Sequence, residues 1–154
     1  MADYFLDSSA VVKRYINEPG SEFVGELVDL YEENNVFLAQ ITRVEVAAAF
    51  ARRRKGKTLA DKDAVSALAS FTAELADIYL TIEVSADLVI AATDLAIKHA
   101  LRGFDAVQLA SALAANRDLI ENGLDALTFV SADSDLNATA IAEGLSVLNP
   151  NDYD

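Results

Sequence analysis

The segment YFLDSSAVVKRY, from Tyr4 to Tyr15, joins an apolar run to a stretch with helical periodicity. Its first residues have the composition of a short strand, and residues 10–15 carry apolar side chains at helical spacing. Asp7 stands between the two, at the end of the apolar run. The segment therefore predicts a buried strand that leads into a helix, with a carboxylate at the junction.

The same alternation continues along the chain. Further strands are predicted at NVFLA, LTIEV, LTFVSA and LSVLN, and helices at residues 8–17, 21–31, 41–54, 58–79, 86–100, 104–123 and 133–143. Strands that alternate with helices favour right-handed crossovers and a mostly parallel sheet covered by helices on both sides. We find no repeat or linker, and we expect a single domain over residues 1–149 and a short C-terminal tail over residues 150–154.

Composition excludes several classes of protein. The chain has 154 residues, 53% of them hydrophobic, which suits one packed α/β domain. It has no cysteine and a single histidine, His99, so thiolate nucleophiles, cysteine zinc sites and catalysis by paired histidines are excluded. No apolar run is long enough for a membrane span, and residues 1–7 lack the pattern of a secretory signal. We therefore expect a cytoplasmic protein.

The charge is unevenly distributed. The formal net charge is −13, which by itself disfavours nucleic acid as a partner. Seven of the twelve basic residues nevertheless lie between residues 43 and 62, around the segment RRRKGK, and none follows Arg117. This basic band is either a solvated helix end, where cations favour the helix dipole, or a surface that contacts phosphates or a protein partner.

Four acidic residues stand in unusual surroundings. Asp7 and Asp133 follow predicted strands, and the carboxyl ends of parallel strands form the crevice where α/β proteins bind ligands. Glu45 lies among valines and alanines, and Asp105 opens another apolar helix. A carboxylate in such a place costs free energy unless something compensates it.

Each of the four also has a purely structural interpretation. Asp7 would cap the first helix, and Asp133 or Asp135 the last one. Asp105 would be favoured near a helix start by the macrodipole. Glu45 would pair with Arg43 or Arg52 on the surface.

Taken together, the four carboxylates pose one electrostatic problem. If they converge on one rim they repel each other, and some stay protonated unless a cation neutralises them. Without histidine or cysteine ligands, an all-oxygen set suits Mg²⁺ or Mn²⁺.

Four segments carry a resemblance that spans nearly the whole chain: FLDSSAVVKRYINEPGS, ITRVEVAAAFARR, FDAVQLASALAA and FVSADSDLNATAIAEGLSVLNP. In order and spacing they resemble the PIN-domain family, and within it the VapC-type toxins of toxin-antitoxin pairs. The resemblance implies a three-layer α/β/α sandwich and an endoribonuclease that depends on Mg²⁺ or Mn²⁺. It implies hydrolysis by water, with a 5′-phosphate and a 3′-hydroxyl on the products.

The resemblance also assigns residues. Asp7, Glu45 and Asp105 match the first three acids of the family, as catalytic and metal-binding residues. Asp133 matches the fourth, although Asp135 is close enough to serve instead. Thr42 and Ser131 match positions where the family often has a small hydroxyl, for which we expect a water-positioning role.

The partners that the resemblance implies are an RNA substrate, a cognate VapB-type antitoxin and a second copy of the chain in a homodimer. Arg52 to Lys57, with Lys13 and Arg14, would contact phosphates of the RNA. The apolar helices near residues 24–31 and 64–80 would offer surfaces for dimer or antitoxin contacts, unless they simply face the core.

Two alternatives of other kinds remain. The DSD segment at 133–135 is similar to the DxD of Toprim enzymes, and an aspartate after the first strand is similar to aspartyl phosphatases. Toprim domains, however, do not place their glutamate in an alanine-rich helix, and the phosphatases need an aspartate where this chain has Ser9. The second alternative is a PIN-like binding module without catalysis, for which a missing acid would be expected.

Overall fold

A computed structural model describes residues 1–153 of the chain, in which strands and helices alternate. The strands are β1 (Asp3–Leu6), β2 (Asn35–Ala39), β3 (Tyr79–Ile82), β4 (Thr128–Val130) and β5 (Ser146–Leu148). The helices are α1 (Ser8–Tyr15), α2 (Ser21–Asp29), α3 (Thr42–Lys55), α4 (Asp61–Asp77), α5 (Ala86–His99), α6 (Gly103–Glu121) and α7 (Ser134–Ala142), followed by a 3₁₀ turn at Pro150–Asp152. Every predicted strand and helix is present, with ends that differ by a few residues.

The five strands form one sheet in the order β3-β2-β1-β4-β5, and every pair of neighbours is parallel. The chain first winds outward from β1 to β2 and β3, then returns across the sheet to β4 on the other side of β1. The direction of winding thus reverses between β1 and β4. At such a switch point the loops after the two strands diverge and leave a crevice at their carboxyl ends.

Helices cover both faces of the sheet. Alternating residues of β1 enter different cores: Leu6 packs with α1 to α4, and Phe5 packs with α6 and α7. The ring of Phe5 stacks on that of Phe129 from β4, with centroids 5.9 Å apart. Burial on both faces explains why the strands are apolar without alternation, and it confirms the predicted three-layer sandwich.

Gly56 ends α3 as predicted, but its φ is −76°, and the left-handed residue is Lys57 with a φ of 59°. The apolar helices near 24–31 and 64–80 bury Val24, Leu27 and Val28, and Ala64, Ala67 and Phe71. Each helix therefore directs apolar residues to the core, while Leu30, Tyr31, Val65 and Leu68 in the same segments are exposed.

The C-terminal segment contacts the helix that begins after the Pro19 turn. Pro150 is buried, and the ring of Tyr153 stacks on Phe23 of α2 at a centroid distance of 4.2 Å. The last residue of the expected tail, Asp154, lies outside the described residues. Within residues 1–153, no helix has both the length and the apolar character that crossing a bilayer requires.

Candidate active site

Asp7 lies at the carboxyl end of the central strand and is 5% exposed. Its Oδ1 accepts hydrogen bonds from the backbone N–H of Ala10 at 3.0 Å and from the Ser9 hydroxyl at 2.6 Å, so it caps α1. Burial raises the pKa of Asp7 to about 6, although these hydrogen bonds lower it. The negative charge of Glu45 raises the pKa of Asp7 further. The structural interpretation, a helix cap, is correct, but a cap this strongly desolvated carries an electrostatic cost that an exposed cap avoids.

Hydrogen bonds join Asp7 to the loop after β4. The buried Ser131 hydroxyl donates to Oδ2 of Asp7 at 2.8 Å and accepts from the backbone N–H of Asp133 at 3.1 Å. The N–H of Ala132 donates to the Ser9 hydroxyl at 2.9 Å. The two loops at the switch point are thus held together, and Ser131 links the carboxylate of Asp7 to the backbone of Asp133.

Glu45 projects from the first turns of α3 toward α1. Its Oε1 accepts hydrogen bonds from the Ser8 hydroxyl at 2.9 Å and from the Gln108 amide at 2.8 Å. It forms no ion pair with Arg43 or Arg52, so the surface-pair interpretation of Glu45 is wrong.

Asp105 lies in the first turn of α6 and is half-buried. Within residues 1–153, its carboxylate accepts no hydrogen bond. Burial raises the pKa of Asp105, and the negative charges of Asp133 and Glu45 raise it further, while Arg102 opposes them. The repulsion requires that Asp105, Asp133 and Glu45 share one region of space. Glu45 also repels Asp7, so electrostatic interactions link acidic residues from four remote segments.

Asp133 and Asp135 differ in position. Asp133 caps α7 through Oδ1, which accepts from the N–H groups of Asp135 and Leu136 at 3.0 and 3.1 Å. Asp135 is exposed and is not among the charges that raise the pKa of Asp105. Both Asp133 and Asp135 line a cavity together with Asp105, so the choice of Asp133 as the fourth acid stays a prediction.

Comparison with known proteins identifies the family. The family model described as PIN domain matches residues 4–142. The chain belongs to the PIN domain family. A search of curated proteins finds no match to the chain.

Solved structures share the fold of this PIN domain at low sequence identity. VapBC2 from Rickettsia felis, solved bound to a promoter DNA fragment, has a TM-score of 0.63 and 17% identity over 96% of this chain and 98% of that one. PAE2754 from Pyrobaculum aerophilum has a TM-score of 0.66 and 15% identity over 98% and 85%. VapC20 from Mycobacterium tuberculosis, a toxin that cleaves the sarcin-ricin loop, has a TM-score of 0.60 and 18% identity over 88% and 93%.

The acidic residues of this PIN domain are not neutralised by ion pairs within the part of the chain that the structure describes. None of the ion pairs within residues 1–153 involves Asp7, Glu45, Asp105 or Asp133. In the same residues, no three acidic or histidine side chains converge closely enough to form a ready metal cluster. Mutual repulsion favours such separation. The donor chemistry, four carboxylates with neither sulfur nor imidazole among them, fits Mg²⁺ or Mn²⁺.

A cavity of about 360 Å³ adjoins the rim of the PIN domain, between α1, α3 and the start of α6. Its lining includes the polar side chains of Ser8 and Glu45 and the basic side chains of Arg52 and Arg53. Arg53 pairs with Glu18 at 2.8 Å, whereas Arg52 is exposed and in no ion pair within residues 1–153. The guanidinium group of Arg52 is therefore available to bind an anionic ligand in this cavity.

The predicted phosphate contacts of Lys13 and Arg14 are wrong, because both side chains are used inside the PIN domain. Lys13 is buried, pairs with Glu18 at 3.3 Å and donates to the carbonyl of Pro19. Arg14 pairs with Asp29 at 2.7 Å and with Glu74 at 3.2 Å. A basic residue on an amphipathic helix gives no signal of such pairing in the sequence.

Three polar residues of the site were not singled out from the sequence: Ser8, Ser9 and Gln108. Ser8 and Ser9 follow Asp7 directly, and that adjacency was the available signal. Gln108 lies one turn after Asp105, so both point to one side of α6. Thr42 and Ser131, predicted to lie near the site, are both fully buried beside it.

Proposed function

We propose that this PIN domain is a Mg²⁺- or Mn²⁺-dependent endoribonuclease that acts as the toxin of a toxin-antitoxin pair. The observation that carries the proposal is that hydrogen bonds and electrostatic repulsion link Asp7, Glu45, Asp105 and Asp133, none of which forms an ion pair within the described residues. A stable fold has little reason to gather such carboxylates, because their burial and repulsion cost free energy. A divalent ion removes that cost.

Asp7, Glu45, Asp105 and Asp133 would hold the metal. The bound ion would lower the pKa of a water molecule and neutralise charge on the phosphoryl oxygens. The protein's own residues orient the carboxylates: Ser9 and Ser131 hold Asp7, Ser8 and Gln108 hold Glu45, and α7 fixes Asp133 through its cap. Because water is the nucleophile, no side chain has to form a covalent intermediate.

RNA is the substrate we infer, in spite of the net charge of −13. The exposed end of α3 carries Arg52, Arg54 and Lys55, and Arg52 shares the cavity that Glu45 lines. A phosphate beside the scissile bond would find a cation there. Few aromatic side chains accompany these cations, so phosphate contacts would contribute more than base stacking.

Replacing Arg52 with alanine should weaken RNA binding because one phosphate contact is lost. We expect KM to rise several-fold with little change in kcat, and the slope of log affinity against log salt to fall by about 0.7 for a single strand. Arg117→Ala is the matched control: it removes an exposed arginine that forms no ion pair within residues 1–153 and lies near the other end of α6 from Asp105. Equal effects of the two substitutions would contradict a specific contact at Arg52.

The partners we propose are a VapB-type antitoxin and a second copy of the chain. VapBC2, one of the structures with this fold, is a complex named for both components. An antitoxin side chain with a positive charge would relieve the same repulsion that a metal relieves, and it would exclude the metal from the site. The RNA substrate implies that the protein acts in the cytoplasm.

Incubation of the purified protein with mixed RNA tests the function. We expect cleavage in Mn²⁺ or Mg²⁺, loss of cleavage after chelation, and recovery when the metal is restored. Cleavage that continues in chelator would contradict the metal requirement. Absence of cleavage under every condition would favour the alternative of a binding module without catalysis.

A further inference from the structure

The side chain of Gln108 is a polar group in the interior that the proposed chemistry does not use directly. It lies on α6, is 1% exposed and has buried leucine and alanine residues on either side. Glutamine is seldom buried without partners. Its contacts therefore indicate what it does.

The amide nitrogen of Gln108 joins three helices. Nε2 lies 2.8 Å from Oε1 of Glu45, 2.8 Å from the Thr42 hydroxyl and 2.9 Å from the Ser8 hydroxyl. Glu45 and Thr42 belong to α3, and Ser8 begins α1, 100 positions earlier in the sequence than Gln108. One amide group thus connects α1, which Asp7 caps, with the helices that carry Glu45 and Asp105.

The side-chain amide of Gln108 is oriented so that its nitrogen, and not its oxygen, faces Glu45. Oε1 is buried and accepts no hydrogen bond within residues 1–153. The reversed amide would offer Oε1 to the hydroxyl groups but would bring it against the carboxylate oxygen of Glu45, acceptor to acceptor. The observed orientation leaves Oε1 unpaired and gives the N–H donor to Glu45.

Only one carboxylate oxygen of Glu45 accepts hydrogen bonds within the described residues. Oε1 accepts from both Ser8 and Gln108, whereas Oε2 accepts no hydrogen bond within residues 1–153. A carboxylate held in this way keeps one oxygen for a ligand. Partners that orient metal-binding carboxylates in this manner commonly set metal affinity.

We infer that Gln108 is a positioning residue, which acts through Glu45 to preorganise the acidic rim for a divalent cation. This inference rests on the proposed function. Ser8 also helps to position Glu45, because its hydroxyl donates to the same carboxylate oxygen as Gln108 does. Gln108 itself does not contact the metal or the RNA.

The test compares Mn²⁺ binding, measured by titration calorimetry, with RNA cleavage in four variants. We expect Gln108→Leu to weaken Mn²⁺ binding by about 10- to 100-fold and to lower kcat/KM by a similar factor, with partial recovery at high Mn²⁺. Gln108→Glu should be at least as weak, because it sets an acceptor against Glu45. Ser8→Ala, at a half-exposed helix start, should show a smaller loss of the same sign, even if the Gln108 variants fold poorly.

Ser111→Ala is the matched control, because Ser111 is also buried on α6 but donates to Val107 of its own helix. We expect its Mn²⁺ affinity to equal that of the wild type. Wild-type Mn²⁺ affinity in folded Gln108→Leu or in Ser8→Ala would overturn the inference and leave the proposed function intact. A wild-type protein that neither binds Mn²⁺ nor cleaves RNA would overturn the proposed function, and the role of Gln108 with it.

Discussion

Replacing Asp7 with asparagine should reduce RNA cleavage by about 100-fold or more. Partners that only orient a metal ligand cost 10- to 100-fold when they are removed, and a ligand at the centre of the site should cost at least as much. Asparagine has nearly the same shape but no negative charge. The loss would therefore report the charge at this position.

The substitution should leave the fold intact. Asparagine caps helices about as well as aspartate, and its oxygen can still accept from the N–H of Ala10. Asp3→Asn is the matched control: it neutralises a carboxylate on the same strand, at the opposite end, where Asp3 accepts from Asn35. Initial rates on one RNA at saturating Mn²⁺ should be normal for Asp3→Asn. Retention of more than a tenth of wild-type activity in Asp7→Asn would contradict the assigned role of Asp7.

The same substitution should stabilise the metal-free protein at neutral pH. Burial raises the pKa of Asp7 from 3.8 to about 6, so the folded state holds a proton more tightly than the unfolded state does. The free energy of unfolding should therefore fall as pH rises from about 4 to about 6, and this contribution is absent above that range. A shift of about 2 pH units corresponds to roughly 3 kcal/mol.

Urea unfolding in chelator at several pH values measures this effect. We expect Asp7→Asn to be more stable than the wild type by up to about 3 kcal/mol at pH 8, with the difference shrinking toward pH 4. Added Mn²⁺ should stabilise the wild type and reverse the order. A difference between the two proteins that does not change with pH would show that Asp7 titrates normally.

These two predictions describe one property of the site. Asp7, which we propose binds the cation, is also a buried carboxyl group whose raised pKa costs the metal-free fold stability at neutral pH. Functional sites often carry such a conflict between stability and activity, and removing it restores stability at the expense of function. The unpaired oxygen of Gln108 is a second example, since the orientation that serves Glu45 leaves a buried acceptor without a donor.

Much of the fold follows from local patterns in the amino-acid sequence. Fully buried strands are continuous apolar runs, helices show a period of 3.6, and residues such as Ser85 mark where a helix begins. Because these signals are local, they predicted every strand and helix. The order of apolar segments then restricts the topology, because crossovers between parallel strands are right-handed. The four acidic residues could be selected as candidates as well, since each is a charge in an apolar or strand-end context.

Other features depend on contacts between distant segments, which local patterns do not encode. Lys13 resembles any basic residue on an amphipathic helix, and only the turn at Pro19 with Glu18 makes it an interior ion pair. Arg52 and Arg53 are adjacent, yet Glu18 engages one and leaves the other at the cavity. The partners of Gln108 lie 63 to 100 positions away, and the return of the chain across the sheet brings them together. Hydrophobic periodicity specifies the individual helices and strands, because each one buries its own apolar face. The polar contacts of the site form only after these helices and strands have packed together.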